Sequence, residues 1–128
     1  MKMKYAVTLS MMTGVAIGAV AIDRLHAQGK PPVFVVNEVD VTDQAGFQKY
    51  AAENQKIIEK HGGKYVVRGG KVIAALTGTA PTGRYTVYSF ENEAKMNDWR
   101  NDPGQKDVLA TRDKVAKFRS FVVEGPSQ

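Results

Sequence analysis

The chain has 128 residues, 43% of them hydrophobic and 24% charged, which is enough for one hydrophobic core and not two. It contains no cysteine, which excludes disulfide scaffolds, thiolate metal centres and cysteine nucleophiles. The formal charge is +5, but the basic residues are scattered rather than clustered with aromatics, so a nucleic-acid surface is not expected.

The first 27 residues read as a leader. Met1-Lys2-Met3-Lys4 is a short basic start, Tyr5 to Ile22 carries no charge, and Leu25-His26-Ala27 offers a small residue before a cut at Gln28. This is the order of a secretory signal. The uncharged run also reaches the lower length limit of a membrane span. Two main readings stand, a cleaved signal peptide and an anchor in the inner membrane through residues 5–22, with a buried core helix as a third. Lys2 and Lys4 place the N-terminus in the cytoplasm under either main reading, so the body is expected to be exported, either periplasmic or secreted. Removing Lys2, Lys4, Asp23 and Arg24 leaves the body with a smaller net positive charge and a single histidine, His61. A multi-histidine metal centre is then excluded, and no cofactor is implied.

Residues 28–32 form a short Pro-containing linker. Val33 to Val41 (VFVVNEVDV) is β-branched and reads as a strand. Thr42-Asp43 can cap a helix in which Phe47, Tyr50, Ala51, Asn54, Ile57 and Ile58 share one face. His61-Gly62-Gly63 ends it. Lys64 to Arg68 reads as a second strand before Gly69-Gly70. Lys71 to Leu76 (KVIAAL) reads as a short extra strand or an extension, and Thr77 to Gly83 as a connector matching no phosphate loop. Arg84 to Phe90 is a third strand and Glu91 to Asn101 a short helix, broken by Asp102-Pro103-Gly104. Gln105 to Lys117 is a further helix, and Arg119 to Glu124 a last strand before the tail at 126–128.

The order is βαββαβ with the second helical segment divided, the ferredoxin-like split βαβ pattern of the α+β class, with an antiparallel sheet and helices on one face. Apolar residues occupy both faces of the strands: Val33, Val35, Val39 and Val41 on one side of the first, Phe34 and Val36 on the other. Helices cover one face only, so a second copy packed sheet to sheet is expected.

Four residues stand out as site candidates. Arg112 interrupts the apolar stripe of Val108, Leu109, Val115 and Ala116. A guanidinium there calls for a buried ion pair (Asp43, Glu91 or Asp98), an external organic anion, or an escape to solvent. His61 follows the first helix, where the carbonyl end favours a cation. It serves as a C-terminal cap or, as the last imidazole, as a general base, and a lone haem ligand is the remaining option. Arg68 stands before a Gly-Gly turn as a ligand contact or a turn residue. Trp99, at helical spacing from Met96, is core or a planar-ligand contact. Tyr50 lies on the buried helix face and is expected to donate one hydrogen bond.

Several of these segments together resemble a known family. Val39-Asp40-Val41-Thr42-Asp43 before an aromatic helix, His61-Gly62-Gly63, Arg68-Gly69-Gly70, Arg84, Phe90, Ala94, Trp99, Arg112 and Val123-Glu124-Gly125 are similar to the domain of unknown function family DUF 1330, over Val33 to Gly125. The resemblance implies a ferredoxin-like fold of the dimeric α+β barrel type. Related families include cofactor-independent oxygenases and ligand-binding proteins, and the family itself brings no settled activity. Where the family often has a Ser-Pro-Glu-Tyr type segment, this chain has Asp102-Pro103-Gly104-Gln105. Two functions follow as expectations. One is a small-molecule site for an organic anion or planar compound, lined by Arg112, Arg68, Trp99 and His61, with cofactor-free proton transfer by His61 or oxygenase-type chemistry. The other is a non-catalytic dimeric module of the cell envelope.

Overall fold

A computed structural model of the chain describes residues 30–126. The leader expected at residues 1–27 lies outside the described residues. Among those described, no helix is long and apolar enough to cross a membrane.

The elements are β1 (Val33–Val41), α1 (Gln44–Lys60), β2 (Lys64–Gly70), β3 (Arg84–Phe90), α2 (Glu93–Arg100), α3 (Gln105–Val115) and β4 (Ala116–Glu124). The strands form one sheet in the order β2-β3-β1-β4, every neighbouring pair antiparallel. The expected α+β, ferredoxin-like arrangement is what the chain adopts, with the second helical segment divided at Asp102-Pro103-Gly104.

Local chemistry explains the boundaries. Asp43 caps α1 by accepting from the Gly46 N–H at 3.1 Å. At its other end Gly62 takes a left-handed φ of +79°. The Gly62 N–H then reaches Glu59 O at 3.0 Å and the Gly63 N–H reaches Ile58 O at 2.8 Å, the paired bonds of a Schellman stop. Asn92 caps α2 through the Lys95 N–H. The α3 to β4 junction falls earlier than expected: Ala116 is already extended and pairs with Val41. The backbone N–H groups of Thr42 and Asp43 both bond to Val115 O, at 2.8 and 3.0 Å, so a tertiary contact ends the helix where propensity alone would have extended it.

Lys71 to Leu76 is neither an extra strand nor part of one. The ladder between β2 and β3 has two register shifts and ends at the Gly70–Tyr85 pair. Beyond it the chain leaves the sheet, with Ile73 and Leu76 more than nine-tenths exposed.

The helices cover one face of the sheet. The core there falls into two clusters. Val33, Val35, Ile58, Tyr88, Phe90, Met96 and Trp99 make one, and Val39, Tyr50, Val108, Val115 and Ala116 the other. Between them a polar row crosses the sheet, Thr86–Asn37–Ser120 by register. On the opposite face, Val67, Val87, Val36 and Phe121 lie side by side across all four strands, with Phe121 48% exposed.

Candidate functional site

Two buried asparagines, one from β1 and one from α1, line the same cavity at the seam between the core clusters. Asn37 donates through Nδ2 to Thr86 O at 3.0 Å and accepts at Oδ1 from Ser120 Oγ at 2.6 Å. Asn54 accepts at Oδ1 from Trp99 Nε1 at 3.1 Å and donates through Nδ2 to the Tyr50 hydroxyl at 3.3 Å. Both amides are buried, at 3% and 4% exposure, and both are satisfied, as buried polar groups must be to avoid a desolvation cost.

Two cavities open from this seam. One, of about 300 Å³, runs under α1 toward β2 and is walled by Phe47, Ala51, Tyr65, Arg68 and Phe118. The other, of about 460 Å³, runs under α3 toward β4 and is walled by Trp99, Arg100, Gln105, Leu109 and Arg112. They share Asn37, Tyr50 and Tyr88, so they are two arms of one cleft between helix layer and sheet. No carboxylate lines either arm among the described residues, whereas three arginines do. A third hollow near the N-terminus of α2 carries Glu93 and Glu124 and does not reach the amides.

The phenols at the meeting point keep their protons. Burial pushes the Tyr50 hydroxyl up to about 12, opposed in part by the nearby Arg112 charge. Burial raises Tyr88 as well, opposed by the Asn37 and Asn54 amides. At neutral pH both are hydrogen-bonding phenols and not phenolate bases.

The sequence candidates divide. Arg112 and Trp99 come together in one arm, and Arg68 lines the other. Arg112 does not pair with Asp43, Glu91 or Asp98. Its Nε and a terminal nitrogen both contact Oδ1 of the adjacent, exposed Asp113, at 3.0 and 2.9 Å. The guanidinium lies 5.2 Å from the centre of the Phe118 ring. Arg68 stacks on Tyr65 at 4.8 Å and donates to Gln55 Oε1 at 2.8 Å. Gly69 behind it, at φ +63°, sends its N–H to Thr86 Oγ1. Trp99 is both core and cavity wall.

His61 lines neither arm, contrary to its expected place beside Arg112. Its Nε2 lies 2.8 Å from Asp102 Oδ2, and the Lys60 ammonium reaches the same oxygen at 2.9 Å. With the Gly104 N–H on its other oxygen, Asp102 is held well below the usual carboxylate range, the His61 bond contributing most, then Lys60. The pair fastens the end of α1 to the α2–α3 elbow. Sequence reasoning missed Asn37 and Tyr88 and treated Asn54 as one more position on an apolar face. The available signal was two amides set in otherwise apolar registers. Tyr50, expected to donate one hydrogen bond, accepts one from Asn54.

The sheet order and the single helix layer define a ferredoxin-like α+β protein with an interior cleft. The chain belongs to the family described as Domain of unknown function (DUF1330), whose model matches residues 32–126. Among solved structures it is similar to RPA0582, a protein of unknown function from Rhodopseudomonas palustris, at 14% identity and a TM-score of 0.64, covering 77% of this chain and 85% of that one. It is also similar to SnoaB, a cofactor-independent oxygenase from Streptomyces nogalater, at 12% identity and a TM-score of 0.55, covering 77% and 96%. At these identities the likeness is one of fold. No curated protein matches the sequence.

Proposed function

We propose that the chain is an exported small-molecule-binding protein whose ligand, a planar organic anion, occupies the cleft between the helices and the sheet. The observation that carries this is the lining: aromatic walls, buried and satisfied amides, arginines in both arms and no carboxylate. Aromatic walls favour a flat ligand, and a lining that carries arginines and no carboxylate favours an anion. Export is supported by the basic, uncharged and small-residue order of the first 27 residues. The apolar row Val67–Val87–Val36–Phe121 supports a second copy packed on the open sheet face, as the expected dimer requires.

Trp99 is the only tryptophan and lines the cleft, so its emission reports on occupancy. Titration with a panel of aromatic carboxylates should give a saturable change for planar members and none for aliphatic carboxylates of equal charge. A panel that leaves the emission unchanged and gives no heat in calorimetry refutes the proposal.

A further inference from the structure

Asn54 fixes the direction of the hydrogen bonds around it. The indole of Trp99 has a donor and no acceptor, so the Asn54 atom 3.1 Å from Nε1 is the amide oxygen. The Gln105 amide nitrogen approaches the same oxygen at 3.5 Å, which agrees. The Asn54 nitrogen therefore faces Tyr50, and the Tyr50 oxygen accepts at 3.3 Å. A phenol carries one proton. With its oxygen accepting from Asn54, Tyr50 cannot return that proton along the same line, so the O–H is turned away from α1's amide. Tyr50 lines both arms of the cleft, and among the described residues its hydroxyl donates no hydrogen bond. An indole on α2 thus determines, through one amide, that the Tyr50 proton is left for an acceptor other than Asn54.

We infer that Tyr50 is the oxygen-recognising donor of the cleft, set in that role by the positioning pair Trp99–Asn54. The ligand is then an aromatic compound bearing a ring carbonyl or an ionised ring hydroxyl as well as its anionic group. This rests on the reading of the cleft as a small-molecule site and adds the chemical feature that the site selects. A ligand lacking the ring oxygen leaves the phenol proton facing an apolar surface, and a desolvated donor left without an acceptor carries a penalty.

The probes are fluorenone carboxylate and the fluorene carboxylate that differs from it only in lacking the ketone oxygen. The wild type should prefer the ketone by about three- to tenfold, the range expected for one neutral hydrogen bond. Tyr50→Phe keeps the ring and removes the donor, and should bind the two probes equally. Asn54→Asp tests the positioning. An ionised carboxylate only accepts, so it retains the Trp99 N–H and draws the Tyr50 proton inward, and the preference should vanish. When acid restores a proton to the new carboxyl, the preference should return, because the neutral acid donates to Tyr50 as the amide does. The ratio between probes is the readout, so a general loss of anion affinity does not obscure it. Tyr50→Phe carries the test alone where Asn54→Asp does not fold. A ketone preference that survives in Tyr50→Phe overturns the inference. Equal binding of both probes by the wild type also overturns it, while leaving the cleft a binding site. Failure of the wild type to bind either probe overturns the inference and the site together.

Discussion

Replacing Arg112 with methionine separates a structural arginine from a ligand anchor. The Arg112 side chain is 26% exposed, and the Asp113 carboxylate that it contacts is 69% exposed. That pair is solvated on one side and joins chain neighbours, so it contributes about 0.2–1 kcal/mol. The guanidinium over Phe118 adds about 0.5–1 kcal/mol. Methionine keeps most of the apolar stem that packs along α3. Arg112→Met should therefore lower stability by about 1 kcal/mol, and by no more than about 2. A urea melt measures this directly, provided the slope is unchanged between wild type and variant. Aromatic carboxylate affinity should fall much further, by about 1.5–3 kcal/mol for a lost charged hydrogen bond, or roughly ten- to a hundredfold. A stability loss of about 3–5 kcal/mol, the cost of breaking a buried ion pair, together with unchanged anion affinity, would refute the argument.

Asp102 is depressed in the folded state by His61, Lys60 and the Gly104 N–H. Its stabilisation is therefore complete above its unfolded value of about 3.9 and is lost as pH falls through the lower folded value. Asp102→Asn should thus be less stable than wild type at neutral pH, with the gap closing in strong acid; a gap constant with pH in denaturant melts counts against this. The chain should scatter light as a dimer and Phe121→Asp as a monomer, since the substitution places a charge in the apolar row on the open sheet face. A wild-type monomer across dilution eliminates the sheet-to-sheet pairing. Intact mass of the exported form should place its first residue at or near Gln28, and a soluble full-length form speaks against a cleaved leader.

The parts of the fold legible in the sequence are those in which one residue's chemistry decides the backbone. Asp43 starts α1, His61-Gly62-Gly63 stops it, Pro103 divides the helical segment, and the β-branched run at Val33 has no better alternative than a strand. What escaped depended on partners distant in sequence. KVIAAL has strand composition, yet the β2–β3 ladder is already irregular and ends at Gly70, leaving it nothing to pair with. Ala116 became strand because Thr42 and Asp43 take the Val115 carbonyl. The site was half legible for the same reason. A guanidinium or an indole announces itself by type, whereas Asn37 and Asn54 matter only because the fold brings both to the wall of one cavity. His61 was singled out by elimination, which says what is scarce and nothing of where it lies.

The two ends of the described domain are tied to each other. The Gly125 N–H donates to Pro32 O at 2.7 Å, and Val33 pairs with Glu124, so the described chain enters and leaves the domain side by side at one pole. The loop from Lys71 to Gly83 springs from the other pole, since Arg84 pairs with Val39 near the far end of β1. A surface that grips the domain at Pro32 or at Gly125 therefore holds it in the same orientation. In both cases the loop that carries the exposed Ile73 and Leu76 springs from the pole opposite the support, open to whatever is passed over it.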